Sequence, residues 1–451
     1  MNNGTLLLLS LVGSVVFIVV ATTRWKLHPF LALLFAALAV GAGGGLAPAQ
    51  TLTALTGGFG RTVGSIGIVI ACGCIIGLAL EKSGCAQVMA AWVLRLTGEK
   101  RAMLAMSGTG ALVSIPVFCD SGFVILSPLA RSLARKTGES LAGFAVALSM
   151  GLYATHCLVP PTPGPIATAG ALGAGLGSVI AFGVLVSIPV VAATYAYARW
   201  IGGRLRIEPG EETTPAAATH QPAVATPGTL AAFAPIILPV VLIALKSWVD
   251  APDRPLGEGF ARVALSTIGD PNLALLLGVL TAWWVVRRHG RATFSAWTGN
   301  GLQDAGTIIL ITAAGGAFGG VIRETPLGGL IGSALGSLQL GALSLVVPFI
   351  ISAGLKTAQG SSTVAMITTA SLVAPLLPSL GLAEGQGPVL ATLAIASGAM
   401  MVSHVNDSFF WVITQLSGMT VAQGYRTVAV ASGIAGLTGI SAVLLLGLAL
   451  N

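Results

Sequence analysis

The sequence predicts an all-α polytopic membrane protein built from two inverted-topology repeats, each with a re-entrant hairpin and a broken transmembrane helix. Composition is the first observation behind this. Of 451 residues, 55% are hydrophobic and only 8% charged, with 60 glycines, and the mean hydropathy of +0.91 lies far above that of soluble domains. The second is a pair of polar faults: T-H-C-L-V-P-P-T-P-G-P-I-A-T (Thr155–Thr168) follows the apolar run Leu141–Tyr153, and S-H-V-N-D-S (Ser403–Ser408) meets another run in the second half. Irregular backbone at membrane depth is tolerated only where protein or a water-filled cavity satisfies its N–H and C=O groups, so paired breaks point to a solute site. The third is internal similarity. A shift of 242 positions sets Ser65–Leu80 over Thr307–Ile322, matching Ala71 with Ala313, Gly73 with Gly315 and Gly77 with Gly319. His156 falls opposite His404 once about six residues are allowed for loops.

In chain order, apolar runs long enough to cross hydrocarbon lie near Gly4–Thr22, Phe30–Leu46, Thr62–Leu80, Ser178–Ala198, Thr229–Lys246, Pro271–Val286, Thr307–Ile322 and Thr427–Leu450. With the broken segments between them they predict about ten to twelve spans or half-spanning pairs. The first run has no basic region before it and no A-x-A site after it, and Arg24, Trp25 and Lys26 follow, so it reads as a retained helix. Residues 1–57 are then N-terminal scaffold helices. Repeat 1 fills 58–206, with a hairpin at about 102–130 and a broken helix at about 141–177. Glu208–Gly228, rich in Pro, Ala, Thr and Glu without an apolar period, makes 207–228 a flexible cytoplasmic linker. Scaffold helices resume over 229–300. Repeat 2 fills 301–451, with a hairpin at about 341–378, a broken helix at about 388–417 and a final helix at about 427–450.

Charge gives the orientation. The segment Ala102–Ala130 is flanked by Arg95, Lys100 and Arg101 on one side and by Arg131, Arg135 and Lys136 on the other, so both ends face the cytoplasm, as a re-entrant hairpin requires. Its counterpart, about Gly341 to Pro378, has no Lys or Arg in either flank (Gly332–Leu340, Ser379–Gly387), as expected if both ends face outward. Arg24/Lys26, Arg199/Arg204/Arg206 and Arg287/Arg288/Arg291 fall inside, and Asp250–Asp270, of mixed charge, falls outside. The net charge of +7 is dispersed in such clusters rather than gathered on one face, so positive-inside topology explains it and nucleic acid is not a partner. The partners expected are the lipid bilayer and a small solute.

Other classes leave no signature. There is no G-x-x-x-x-G-K-[ST], H-E-x-x-H or G-x-S-x-G, and neither Asp120 nor Asp407 sits in a Gly-x-Gly-Asp setting, so neither an ATP-driven pump nor an enzyme is predicted, and no residue is assigned as catalytic. The five cysteines Cys72, Cys74, Cys85, Cys119 and Cys157 lack C-x-x-C spacing and read as packing residues, with no metal site or bound cofactor expected. Broken helices also line channels, but an inverted duplication with a site in each half is the arrangement of alternating access.

Ionisable side chains inside a membrane are costly and face a cavity or a partner. Asp120 lies at the expected tip of the first hairpin and Lys356 near that of the second, while His156, His404 and Asp407 lie at the helix breaks. Half-helices meeting at a tip aim N–H groups and a positive dipole end at one point, which suits a carboxylate. Ser121 and Gly122 follow Asp120; Gln359, Gly360, Ser361, Ser362 and Thr363 follow Lys356; Thr155, Thr162, Asn406 and Ser408 add neutral hydrogen bonds at the breaks. Together with His156 these are the candidate solute contacts, and they fit a small polar acid. Asp120, Asp407, His156 and His404 are the candidates for the coupling ion, H+ or Na+. The structural alternatives are that Asp120 and Lys356 pair with each other or with Asp407 as a buried bridge, and that the histidines hold broken backbone. The four prolines Pro160, Pro161, Pro163 and Pro165 shape the first break. Arg323/Glu324 and Glu81/Lys82 read as interfacial anchors.

Four motifs, I-P-V-F-C-D-S-G-F-V-I-L-S-P-L (Ile115–Leu129), T-H-C-L-V-P-P-T-P-G-P (Thr155–Pro165), A-Q-G-S-S-T-V-A-M-I-T-T-A (Ala358–Ala370) and S-H-V-N-D-S-F-F-W (Ser403–Trp411), resemble the gluconate permease (gluconate:proton symporter) family of the ion-transporter superfamily. The resemblance spans most of the chain. It implies a bacterial inner-membrane symporter for gluconate or related hydroxy acids, proton-coupled, with relatives carrying D-serine. It further implies a homodimer in which scaffold helices hold a moving transport domain, with Asp120, Ser121, Ser361, Ser362, Thr363, His156, Asn406 and Asp407 near the solute. Thr162 stands where many members carry histidine, Cys119 where they carry an aromatic residue, and Lys356 where several carry arginine.

Overall fold

The computed structural model describes residues 10–208 except 11–12, 15, 19, 22–23 and 98–100; 227–250; 259–287; 290–325; and 341–450 except 406. Every regular element among them is helical. Hydrocarbon offers backbone groups no hydrogen-bond partner, and a helix satisfies them within one segment. Seven described helices are long and apolar enough to cross a membrane, or eight if Phe260–Ile268 and Pro271–Val286, bent by 63°, form one span. Four more apolar helices, Pro29–Gly43, Ala102–Val113, Ser362–Leu376 and Gly387–Ala399, are too short to cross alone. The linker at 209–226, the Gly332–Leu340 flank and most of the first apolar run lie outside the described residues.

Two helices are the longest described. Pro48–Lys82 has 35 residues and Arg291–Arg323 has 33. At 1.5 Å per residue each is about 50 Å long, well beyond a hydrocarbon core of about 30 Å, so each tilts or projects. They pack along each other, and Pro29–Gly43 lies against the second. Glycines permit the close approach: a Cβ on Gly58 would stand 2.3 Å from the Gly316 carbonyl oxygen. Both helices run uninterrupted through the positions where the sequence places the starts of the repeats.

Two paired breaks follow each long helix. Ala102–Val113 and Cys119–Thr137 are separated by Ser114–Phe118; Leu141–Leu158 and Pro163–Leu172 by the proline-rich Val159–Thr162; Val346–Gln359 and Ser362–Val373 by Gly360 and Ser361; and Gly387–Ala399 and Ser408–Leu416 by the segment from Met400 to Asp407. Each break follows from local chemistry. Pro160, Pro161, Pro163 and Pro165 lack amide hydrogens. Gly360 takes φ 85°, a left-handed conformation that closes a helix and that a β-carbon would oppose. Val402 takes φ 34° in the fourth break, a strained position for a β-branched residue.

The packing recurs between halves. Ala102–Val113 lies on Leu141–Leu158, which lies on Leu176–Arg204; Val346–Gln359 lies on Gly387–Ala399, which lies on Val430–Leu450. Close contact again depends on glycine. A Cβ on Gly151 would meet the Ser107 carbonyl oxygen at 2.1 Å, and one on Gly398 would meet that of Phe349 at 2.3 Å. Leu141–Leu158 is buried throughout, which is why its sequence is apolar all round rather than amphipathic.

Candidate functional site

The breaks converge on one polar cluster. Lys356 sits in the last turn of Val346–Gln359, and its Nζ donates to Asp407 Oδ2 at 2.7 Å, with the two side chains 0% and 6% exposed. Asp407 is the N-cap of Ser408–Leu416, where its Oδ1 accepts from the Phe409 amide at 3.0 Å. Helix dipoles assist both partners: a C-terminal turn favours the cation and an N-terminus the anion. The Ser403 hydroxyl also donates to Asp407 Oδ2. The buried carboxylate therefore has three donors, and the ammonium pairs with it. Of the pairings the sequence left open for Lys356, the structure contains the one with Asp407.

Asp120 stands beside this pair in the first turn of Cys119–Thr137, half-buried. It hydrogen-bonds Ser408 and lies within electrostatic range of Asp407 and Lys356. Its Oδ1 has no hydrogen-bond partner. Ser121 and Gly122 follow in the same turn, with Gly122 so close to Leu152 that a Cβ there would meet its Cδ2 at 2.6 Å. Ser361 caps Ser362–Val373, its hydroxyl accepting from the Val364 amide at 3.3 Å. Ser362 hydrogen-bonds Tyr153 and Cys157, which joins the third break to the first broken helix. Thr363 follows Ser362 in that first turn, and Gln359 and Gly360 end the preceding helix.

Each histidine reaches the preceding helix pair, His156 at its break and His404 at the last turn of its first helix. The His156 ring packs on Phe118 with centroids 5.8 Å apart, and its Nδ1 is buried without a hydrogen-bond partner. His404 Nε2 donates to the Thr357 carbonyl at 2.8 Å. Thr162 closes the proline-rich break from inside, its hydroxyl lying 2.8 Å from His156 O and 3.0 Å from Val159 O. Thr155 is buried a turn earlier, 3.5 Å from Gly151 O. Asn406 lies outside the described residues.

Two members of the cluster were not singled out from sequence. Tyr153, which donates to Ala399 O at 2.9 Å and stacks 5.5 Å from Phe409, looks in sequence like one more aromatic in an apolar run. Ser403 could have been found, since it precedes Asp407 by four residues in a segment already marked as broken.

Comparison with known proteins now adds to this geometry. Residues 5–449 match the model of the GntP family permease. This chain belongs to that family. It is 33% identical to an inner membrane permease of Escherichia coli (strain K12), over 97% of this chain and 98% of that one. It is 33% identical to a gluconate permease of Pseudomonas aeruginosa, over 100% and 99%, and 32% identical to an E. coli D-serine transporter, over 97% of each. Among solved structures it shares its fold with the Alcanivorax borkumensis YdaH transporter, with a TM-score of 0.64 and 18% identity over 94% of this chain and 98% of that one. The chain is thus a multi-pass permease of the bacterial inner membrane, a transporter and not an enzyme.

Proposed function

We propose that this permease is a secondary active symporter that imports gluconate or a related small hydroxylated monocarboxylate, coupled to protons, by an elevator-type alternating-access movement. The observation that carries this reading is the buried Lys356–Asp407 pair at meeting helix ends, with the half-buried Asp120 beside it. Counted as Lys+ and two Asp−, the cluster holds one net negative charge. An entering carboxylate adds a second, in surroundings where unpaired charge is expensive. A proton arriving on Asp120, whose Oδ1 is free of hydrogen bonds, restores the balance, so anion and proton travel together. The solute's carboxylate shares Lys356 with Asp407, and the helix N-termini at Ser121 and Gly122 and at Gly360 to Thr363, with Asn406, supply donors, while Thr155, Thr162 and Ser408, whose hydroxyl hydrogens go to protein oxygens, offer their lone pairs to solute hydroxyls.

The architecture of the proposal is two inverted repeats, 58–206 and 301–451. Ala102–Val113 with Cys119–Thr137, and Val346–Gln359 with Ser362–Val373, act as hairpins re-entering from opposite faces. The recurring packing and the opposite flanking charge support it. Scaffold helices at 1–57 and 229–300 form the contact of a homodimer, and 207–228 is the linker. A second reading is a sodium-coupled organic-anion or D-serine-type amino-acid transporter, and the 32% identity to the D-serine transporter favours the amino acid as its solute.

The test is uptake into liposomes of purified protein, with gluconate, glycerate and D-serine each offered under an inward proton or sodium gradient. The proposal expects gluconate accumulation driven by the proton gradient. Accumulation of D-serine alone, or dependence on sodium, gives the second reading, and ion current without accumulation gives an anion channel.

A further inference from the structure

A cavity of about 340 Å³, none of whose lining residues belongs to the lysine–aspartate cluster, lies where the two long helices cross beside the end of Pro163–Leu172. Its floor is glycine. A Cβ on Gly316 would come within 1.9 Å of Thr62 Oγ1, and one on Gly315 within 1.8 Å of Ser371 Oγ, so side chains there would close the space. Its charged lining residues are Arg61 and Arg323, with no acidic residue among the described ones. The hydroxyls of Thr62, Ser65 and Ser371 turn back to backbone carbonyls at 3.0, 3.0 and 2.8 Å. The donors left to a ligand are the two guanidinium groups, both exposed.

Position adds a second argument. Arg323 ends a helix whose start follows the inside cluster Arg287 and Arg288, so the charge-derived topology puts it outside. Arginine is depleted on that face, and the other outside segment with basic residues, Asp250–Asp270, balances Arg254 and Arg262 with acidic residues, which Arg61 and Arg323 lack in this cavity. Arginine presents a planar fork suited to carboxylate, and the volume falls at the small end of ligand pockets, roughly 300–1,000 Å³.

We infer that this cavity is an outward-facing anion site that receives the carboxylate of the carried solute before it reaches the Lys356–Asp407 cluster. The inference rests on the proposed anion import, and its test keeps the two separable. Ala171, which lines the cavity, is replaced by cysteine; the five native cysteines are buried. Right-side-out vesicles are treated with impermeant methanethiosulfonates, one anionic and one cationic, and rates are corrected for intrinsic reactivity.

The expected result is an anionic reagent favoured roughly tenfold over the cationic one, with the bias abolished in R61Q/R323Q. Gluconate should slow the labelling, and should still do so with Lys356→Met, or with Asp407→Asn if the first does not fold. In uptake, R61Q/R323Q should raise KM several-fold with Vmax retained. A bias independent of the arginines, labelling from the inside only, or protection that vanishes with the buried pair would overturn the inference. So would gluconate that is transported but does not protect. If gluconate neither enters nor protects while the arginine-dependent bias stands, the solute reading fails and the anion site remains.

Discussion

Two lysine–aspartate pairs in this molecule have nearly the same contact and opposite surroundings. Lys246 Nζ reaches Asp250 Oδ2 at 3.0 Å across one turn at the end of Thr229–Val249, with side chains 32% and 34% exposed, and Arg262 and Ser266 join them. Lys356 reaches Asp407 at 2.7 Å with almost nothing exposed. Water solvates the first pair whether or not it forms, so its contribution is small. The second pair has no such alternative: each charge is tolerable only because the other is present. Distance alone would rank the pairs as equals, and burial separates an interfacial anchor from a candidate transport site.

The largest effect follows from removing one partner of the buried pair. Lys356→Met leaves the Asp407 carboxyl buried without its cation, and should cost roughly 3–5 kcal/mol, read as earlier heat-induced loss of monodisperse protein in detergent. Lys356→Met/Asp407→Leu removes both charges and should recover most of that loss, less about 1 kcal/mol for the missing cap on Ser408–Leu416. Neither variant should accumulate solute. If the double variant were no more stable than the single one, the loss would come from packing rather than from an orphaned charge.

Thr162→Val comes next. It removes the hydroxyl hydrogen at the buried break and leaves the carbonyls of His156 and Val159 without it, a cost of about 1–3 kcal/mol. Thr162→Ser should restore stability. A serine variant as unstable as valine would show that the threonine methyl, and not the hydrogen bond, holds the proline-rich turn.

How far the sequence reaches is visible in these same residues. The breaks were legible because proline, glycine and polar residues interrupt long apolar runs, and the four breaks fall within the segments expected. The partner of Lys356 was not. It lies 51 residues away, and choosing between Asp120 and Asp407 depends on how a C-terminal turn faces an N-cap across the molecule, which no local pattern encodes. Arg323 shows the same limit from the other side. In sequence it ends an apolar run and reads as an anchor; only the crossing at Gly58 and Gly316 brings it to the same cavity as Arg61. The glycines that matched between halves were a usable signal, since Gly315 and Gly319 line that cavity.

Asp120→Asn should separate stability from coupling. The amide oxygen can keep the Ser408 bond while its nitrogen takes the position of Oδ1, which has no hydrogen-bond partner, so stability should fall by only about 1 kcal/mol. Proton-driven accumulation should disappear while solute exchange without a gradient continues. Retained accumulation would remove Asp120 from the coupling step and leave Asp407 or a histidine to take the proton.

The smallest effect belongs to the exposed pair. Hydrogen bonding from Lys246, helped by Ser266 and by the nearby Lys246 and Arg262 charges, holds the Asp250 carboxyl below its ordinary range. A carboxyl depressed in the folded state adds stability above its unfolded value, and that contribution fades as pH falls through the folded value. Because water screens the pair, Asp250→Asn should cost at most a few tenths of a kcal/mol at neutral pH. The wild type and the variant should become indistinguishable in acid, and salt should narrow their difference at neutral pH. Thermal unfolding at both pH values and two salt concentrations checks this. A loss approaching that of Lys356→Met would mean that Asp250 is shielded from water in the membrane, and the contrast between the two pairs would collapse.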